Sequence, residues 1–250
     1  MKLKIKSEKI LTELENLGQF VSEAKFSLNE NGLETTASDR NMVCVFNLSI
    51  PKKDFEVFEV DHKPRDLGID VSLLLDILKR AKKEVITFDI QEKKMDIIIN
   101  SIRKFSYSFT EVESDIPDIS TLKFTSSFRI KTEDFVNAIG DGDLVGDAVE
   151  IKTEDNKILF TTKGEILETE TEILQEVVGK ATALYPLDYL KKLKFNSDFI
   201  NVEFGDDYPI RLSFRNCWIV IAPRINEEEE SEEKEEIPTA PENVLQEELK

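Results

Sequence analysis

The sequence predicts an α+β fold made of two copies of one domain. Short runs of alternating apolar and polar residues are typical of strands with one buried face, and each half also has two segments with helical apolar spacing. The order of helices and strands in the first half returns in the second. With 250 residues, 40% of them hydrophobic, the chain can form two domains of about 110 residues.

In the first half, strands are predicted at residues 2–6, 24–28, 42–50, 85–90, 95–100 and 105–112. One helix is predicted from apolar residues that follow a Ser-x-x-Ile capping pattern, namely Ile10, Leu11, Leu14, Leu17 and Phe20. A second helix is predicted from the spacing of Val71, Leu74, Leu75, Leu78 and Ala81.

In the second half, the third helix is predicted from Phe135, Ala138, Ile139 and Leu144, and the fourth from Leu187, Leu190 and Leu193. Strands are predicted at residues 149–152, 157–162, 199–204, 210–214 and 218–221. Residues 20–26 align with 144–150 at an offset of 124, and residues 74–79 align with 189–194 at an offset of 115. Chance similarity of two α+β halves is the alternative to duplication.

Composition divides the chain into four segments. We expect one domain at residues 1–112, a polar linker with one proline at 113–124 and a second domain at 125–225. Residues 226–250 contain 11 Glu and 2 Lys and only scattered apolar residues, which predicts a solvated, disordered acidic tail.

The rare residues argue against an enzyme. His62, the only histidine, lies in a polar turn, and no phosphate-binding, dinucleotide-binding, serine-hydrolase or zinc-protease motif occurs. Cys44 and Cys217 lie inside apolar runs, which predicts two buried, reduced thiols. No apolar stretch is long enough to span a bilayer, and no signal segment is found, so we expect a soluble intracellular protein without cofactor or metal.

The net charge of −18 is unevenly distributed. Half of it belongs to residues 226–250, and cations cluster at the predicted ends of the second and fourth helices: Lys79, Arg80, Lys82, Lys83, Lys191, Lys192 and Lys194. One interpretation is that these side chains are solvated and complement the helix macrodipole. The other is that their recurrence at equivalent repeat positions lines one surface with ammonium groups, which would hold phosphates without reading bases.

Several motifs, in this order and spacing, resemble the DNA sliding clamp family of the proliferating cell nuclear antigen type. They are Glu23-Ala24, residues 36–43, residues 77–81, Ile116-Pro117, residues 144–147 and residues 221–225. The resemblance covers residues 1–225. It implies a ring trimer of six similar domains, with outer β-sheets, short helices that line a channel for duplex DNA, and no catalysis.

The resemblance also implies a subunit interface and a partner pocket. In the family an edge strand before the linker pairs with the next subunit's second domain, which sets residues 105–112 against 166–174 and selects Phe105, Tyr107, Phe109, Ile166, Glu168, Glu170 and Leu174. Residues that match the family's peptide pocket are Ser38, Val43, Ile116, Pro117, Pro209, Val220, Ala222 and Pro223. Its implied occupants are peptides of the clamp loader, DNA polymerase, flap endonuclease and DNA ligase.

Basic positions of the family on the first and third helices are not kept, since these carry Leu11, Thr12, Gly18, Asn137 and Gly140. Other subunits of a heterotrimer would then supply cations, so homo- and heterotrimer both remain open. The expected function is a processivity clamp associated with the nucleoid, cytoplasmic in a prokaryote. The alternative is a clamp-like scaffold or checkpoint-type subunit that recruits proteins without supporting processive synthesis.

Overall fold

A computed structural model describes residues 1–113 and 115–225; the predicted acidic tail lies outside the described residues. The first half contains β1 (Lys2–Lys6), α1 (Leu11–Phe20), β2 (Glu23–Asn29), β3 (Gly32–Ser38), β4 (Cys44–Pro51), β5 (Val57–Glu59), β6 (Arg65–Asp70), α2 (Val71–Lys79), β7 (Val85–Ile90), β8 (Lys94–Ile99) and β9 (Arg103–Ser108). Short 3₁₀ turns at Ser7–Lys9 and Lys52–Asp54 follow β1 and β4.

The second half contains β10 (Ser126–Lys131), α3 (Thr132–Asp143), β11 (Ala148–Glu154), β12 (Lys157–Lys163), β13 (Glu168–Leu174), β14 (Ala181–Pro186), α4 (Leu187–Leu190), β15 (Phe199–Phe204), β16 (Ile210–Phe214) and β17 (Cys217–Ile221). The element order of the first half is thus repeated, except that β5 has no counterpart. Between β9 and β10, the described residues contain no helix or strand.

The strands form three antiparallel sheets, which confirms the α+β prediction. A five-stranded sheet has the order β5-β1-β7-β8-β9, and a four-stranded sheet has the order β13-β12-β11-β14. The third sheet, β10-β15-β16-β17-β4-β3-β2-β6, takes four strands from each half. The two halves therefore share one continuous eight-stranded sheet.

The joint in this sheet is the antiparallel pair β17–β4. Ile219 lies opposite Phe46 and Ile221 opposite Cys44, and all four side chains are fully buried on the core side. On the same side, α1 contacts β4 and α2, α3 contacts α4, and the rings of Phe20 and Tyr189 stack at 5.8 Å between α1 and α4. The helices thus form one row, α2-α1-α4-α3.

The longest helix, α3, has 12 residues. Within residues 1–113 and 115–225, no helix has the length and apolar character that a membrane crossing requires.

The repeat is confirmed, but the predicted offset of 124 is wrong by one residue in the strands. The hairpin β2–β3 begins at Glu23 and ends at Ser38, and its counterpart β11–β12 begins at Ala148 and ends at Lys163, an offset of 125. Buried Ala24 therefore corresponds to buried Val149 and not to Ala148. A shift of one residue moves every strand side chain to the other face of the sheet. The two repeats must therefore be aligned by their burial pattern, even where residue identity favours a different offset.

The fourth helix is much shorter than predicted. It is a single turn that ends at Leu190, although Leu193 is still buried in the turn that follows. The cause is tertiary: Phe195 packs edge-on against Phe135 at 5.8 Å and Phe214 at 4.8 Å, which draws the chain back into the core. The three predicted lysines therefore lie in a loop after the helix.

The strand predicted at residues 105–112 also ends early, at Ser108. Beyond it the chain crosses to β6, where Thr110 N–H donates to the carbonyl oxygen of Gly68 at 3.0 Å. A Cβ atom at Gly68 would lie 1.8 Å from the Thr110 carbonyl oxygen, so only glycine allows this approach. The edge strand β9 therefore ends earlier than predicted, just before Thr110 bonds the chain to β6.

Both cysteines are buried and unbonded, as predicted from their apolar neighbours. Burial is the main cause that raises the pKa of the Cys44 and Cys217 thiols above the ordinary value. The thiols are therefore protonated and packed as small apolar groups.

Polar contacts join the halves on the helix side of the β17–β4 pair. The buried Asn16 amide donates to the Lys194 carbonyl at 2.7 Å, and its Oδ1 accepts from the Lys194 N–H at 2.8 Å. Buried Glu13 accepts from Asn196 at 2.9 Å and lies 3.4 Å from Arg215 Nε. The Tyr189 hydroxyl donates to Asp39 at 2.8 Å.

Replacing Asn16 by Ala leaves the Lys194 N–H and carbonyl without their partner, so we expect a loss of roughly 2 kcal/mol in the free energy of unfolding. Urea denaturation measures this loss. Asn137→Ala, at an exposed position of α3, is the matched control and should change stability by less than about 0.5 kcal/mol. Equal effects of the two substitutions would contradict the role of Asn16.

Tyr189 should make the joint sensitive to alkali. Burial, followed by the hydrogen bond to Asp39, raises the pKa of Tyr189 to about 12 from 10.0. Because the folded pKa is the higher one, this stabilisation is fully present below pH 10 and is lost as the pH rises through 12.

We expect Tyr189→Phe to be less stable than the parent by about 1 kcal/mol at pH 8, with the difference shrinking between pH 10 and 12. Denaturant titrations at several pH values measure it. A difference that stays constant up to pH 12 would contradict the assignment.

Candidate nucleic-acid interface and partner surfaces

The first cation cluster lies at the end of α2. Lys79, Arg80, Lys82 and Lys83 are all exposed, and in the described part of the chain none of them forms an ion pair. Buried Ala81 anchors the turn, and Lys82 has a φ of 52°, which directs the chain into β7. The Ser7 hydroxyl donates to the Lys82 carbonyl and fixes the turn against β1.

The second cluster differs, because two of its three lysines are paired within the chain. Lys191 lies 2.8 Å from both Asp143 and Asp188, and these hydrogen bonds raise its pKa above the ordinary range. Lys194 lies 2.9 Å from Glu15. Lys192 lies over the Tyr189 ring at 5.6 Å and forms no ion pair among the described residues. The two clusters are therefore not equivalent: among the described residues, the first has four cations without an ion pair and the second has one.

Two of the edge strands match the predicted subunit interface: β9, at one end of the five-stranded sheet, and β13, at one end of the four-stranded sheet. In β9, Phe105 is half-buried and Tyr107 is buried, with its hydroxyl accepting from Asp70 N–H at 2.6 Å. Phe109 lies beyond the strand, with its ring 6.4 Å from that of Tyr107. Lys104 points outward from β9 and lies 2.9 Å from Asp96. Arg103 is exposed on the face of Phe105 and Tyr107 and lies 2.6 Å from Glu84.

The edge strand β13 is acidic where β9 is basic. Glu168, Glu170 and Glu172 point outward, alternating with half-buried Thr169 and Thr171. Leu174 ends the strand and is 72% exposed, whereas Ile166 precedes the strand in a bend and is 99% exposed. The strand thus begins two residues later than the segment expected from the resemblance.

The predicted pocket residues lie on the face of the eight-stranded sheet opposite the core. Arg211 lies across from Val220, Val220 across from Val45, and Val45 across from Ser38, which makes one row over four strands. Continuing the register by one residue places Pro209, Ala222 and Val43 in the next row, where Ala222 N–H donates to the Val43 carbonyl at 2.8 Å. Pro223 follows Ala222.

The linker covers part of this face and encloses a cavity of about 330 Å³. Its lining consists of Pro117, Asp118, Ile119, Ser120, Leu122, Phe124, Arg211 and Val220. Of the predicted pocket residues, Pro117 and Val220 line this cavity. Ser38, Val43, Ile116, Pro209, Ala222 and Pro223 do not, and Ile116 is 36% exposed.

Four apolar or cationic lining residues were missed from the sequence: Ile119, Leu122, Phe124 and Arg211. The alternation of residues 210–214 does indicate that Arg211 points away from the core, since Ile210, Leu212 and Phe214 are buried. The alternation predicts which face of the sheet Arg211 lies on, but it does not show that the linker covers that face.

Two tandem α+β units that share one sheet and a single row of helices define a clamp-type architecture. Residues 1–116 match the family model of the proliferating cell nuclear antigen (PCNA) N-terminal domain. A DNA polymerase sliding clamp of Methanococcus maripaludis is 28% identical over 242 residues, covering 87% of this chain and 95% of that protein. DNA polymerase sliding clamp 2 of Saccharolobus solfataricus is 26% identical over 215 residues, covering 81% and 88%.

Solved structures show the same fold. Archaeoglobus fulgidus PCNA, bound to the C-terminal region of FEN-1, matches with a TM-score of 0.83 at 23% identity, covering 90% of this chain and 98% of that one. The Sulfolobus tokodaii PCNA2–PCNA3 complex matches with a TM-score of 0.81 at 21% identity, covering 90% and 99%. Residues 1–116 belong to the PCNA N-terminal domain family, and most of the chain is similar to archaeal DNA polymerase sliding clamps. Members of this family are processivity factors without catalytic activity.

Proposed function

We propose that this chain is a subunit of a DNA polymerase sliding clamp, in which three subunits encircle duplex DNA and tether replication and repair enzymes. The observation that carries the proposal is the similarity to sliding clamps over most of the chain, combined with an edge strand in each half, β9 and β13, at the expected subunit interface. Tethering raises the local concentration of an enzyme at its template, so weak peptide binding gives long residence on DNA. Such a protein works at the nucleoid, inside the cell.

The cations at the end of α2 are the best candidates for phosphate contacts. Lys79, Arg80, Lys82 and Lys83 are exposed and unpaired within the described residues, so their charge is available to DNA. Lys192 adds one further cation. Lys191 and Lys194 are held by carboxylates of the same chain, and their first role is to stabilise the helix row. Contacts of this kind are independent of base sequence and allow sliding.

The joint within the chain suggests how two subunits meet. Through the repeat, β9 corresponds to β17 and β13 to β4, so the open edges are equivalent to the strands that pair inside the chain. Transferring the register of Ile219 opposite Phe46 places Phe105 opposite Thr169 of the next subunit. Lys104 then lies opposite Glu170, and both point outward.

The pairing is head-to-tail, because each chain offers one basic and one acidic edge, and such pairing closes into a ring. It also covers two edges that would otherwise invite uncontrolled strand addition.

The linker-covered face is the proposed site for partner peptides. A cavity that has both apolar and polar side chains in its lining, beside a sheet face of small and proline side chains, fits a short peptide with an apolar-aromatic anchor. The FEN-1 segment on the Archaeoglobus fulgidus protein supports a flap endonuclease as one partner here. The clamp loader, DNA polymerase and DNA ligase are proposed to use the same face.

A scaffold that recruits proteins without supporting synthesis is the second candidate. It is favoured by the exposed carboxylates of α3, Asp141 and Asp143, which weaken the attraction of the helix row for DNA. Polymerase processivity on primed circular DNA separates the two functions: longer products with the clamp and its loader support the first, and unchanged products support the second.

Replacing Lys79, Lys82 and Lys83 together by Ala should shorten polymerase products several-fold at physiological salt, because phosphate contacts are lost. Ring assembly, measured by solution mass, should persist. The matched control replaces exposed Lys53, Lys63 and Lys93, which removes the same charge elsewhere on the domain. An equal loss in both variants would contradict a local role of the α2 cations.

Glu170→Lys should weaken assembly by placing like charges opposite one another, and sedimentation analysis should show more monomer. Lys104→Glu should do the same, but it also removes the Lys104–Asp96 ion pair within the chain. Melting curves of each variant therefore separate lost assembly from lost subunit stability. Combining both changes in one chain restores opposite charges at every joint and should restore the trimer. The double variant should also fail to exchange subunits with the parent chain. Free exchange, or no effect of either single change, would contradict the proposed register.

A further inference from the structure

We propose that the cavity under the linker selects partner peptides with an acidic side chain next to the apolar anchor, and that Arg211 is the residue that recognises it. This inference rests on the partner-binding role proposed above. It goes beyond that role because it names a chemical property of the partner and a specificity-determining residue of the clamp.

The cavity combines an apolar lining with one cation. Pro117, Ile119, Leu122, Phe124 and Val220 supply the apolar surface, and Arg211 is the only cationic residue among those lining the cavity. Arg211 lies in the middle of β16, between buried Ile210 and Leu212, so its backbone is fixed by pairing with Glu203 and Val220 on both sides. A guanidinium on a rigid strand is preorganised for recognition.

The Arg211 side chain has unused hydrogen-bonding capacity. Its guanidinium lies over the Trp218 ring, 4.9 Å from the centroid, and its side chain forms no hydrogen bond within the described residues. Its Nε is buried and has no hydrogen-bond acceptor. A carboxylate in the cavity would instead meet the terminal nitrogens of this partly exposed side chain and form charge-assisted hydrogen bonds with them.

Two carboxylates of the same chain lie near Arg211, but neither is paired with it. Asp118 also lines the cavity, but one of its oxygens accepts from the Ser120 N–H at 2.9 Å and the Ser120 hydroxyl at 2.6 Å. Glu203 lies across from Arg211 on β15. Within the described part of the chain, neither forms an ion pair with Arg211.

The overall charge of −18 makes this local cation more selective. Most of the chain repels an acidic peptide. Binding of such a peptide therefore depends on the contact between its carboxylate and Arg211. A neutral peptide would fill the cavity and displace water from the Arg211 guanidinium without supplying a carboxylate, which costs free energy. Specificity then comes from that penalty as well as from the new contact.

The test uses the full chain and synthetic ten-residue peptides with a Gln and an apolar-aromatic anchor. The peptides differ only in carrying Glu, Gln or Lys at each position that flanks the anchor. By calorimetry at low salt, the best Glu peptide should bind about fivefold more tightly than its Gln counterpart, and Lys peptides should bind most weakly. Arg211→Gln should remove the preference, and Arg211→Glu should reverse it in favour of Lys.

Arg129→Gln is the matched control, because Arg129 lies on the same sheet, over Phe199, and outside the cavity. It should keep the preference for Glu. Melting curves and solution mass establish that each variant folds and assembles like the parent. Equal binding of Glu and Gln peptides, or a preference that survives Arg211→Gln, would overturn the role of Arg211 and leave the pocket intact. Failure of every peptide to bind would overturn the pocket itself, and this inference with it.

Discussion

The antiparallel pairing of β17 with β4 is the interaction on which the rest of the structure depends. Five residue pairs join the last strand of the second repeat to the fourth strand of the first. Without them, the eight-stranded sheet would separate into two four-stranded halves. The contacts between α1 and the loop after α4 exist only because this pairing brings those segments together. The ladder thus determines both the helix row on one face of the sheet and the linker-covered face on the other.

The effect of each charged side chain on DNA depends on whether that side chain already forms an ion pair within the chain. The acidic surplus would oppose DNA if it were uniform, but the four cations at the end of α2 have no partner in the described residues, whereas Lys191 is shared between two aspartates. Screening at physiological salt limits the reach of the acidic surface to about 8 Å. Phosphates can therefore respond to the local cations and not to the net charge.

Much of the fold could be predicted because burial leaves a periodic pattern. Alternation identifies the strands around Phe26 and Ile151, and the spacing of Leu14 and Leu17 identifies the first helix. The fourth helix could not be bounded, since Phe195 ends it through contacts with residues far away in the sequence. The end of β9 depends in the same way on the approach of Thr110 to Gly68.

Prediction of the site was limited by the same cause. The lysines could be located along the chain, but nothing in their spacing separates free Lys82 from carboxylate-bound Lys191. The sheet rows that hold Val43 and Ala222 depend on a register between strands from different halves, which no local pattern encodes. Arg211 lines a cavity only because the linker lies over it, and no local sequence pattern predicts that contact.

The continuity of the sheet has a consequence for the linker. In most two-domain chains the connecting segment is a hinge, and its length and stiffness set how the domains move. Here the domains are locked by a strand ladder, so the connection carries no mechanical load, and cleaving its peptide bonds would leave the halves associated. Its sequence is free to diverge according to what binds beneath it. Among related clamps, this segment can become the most variable part of the chain without any change in architecture.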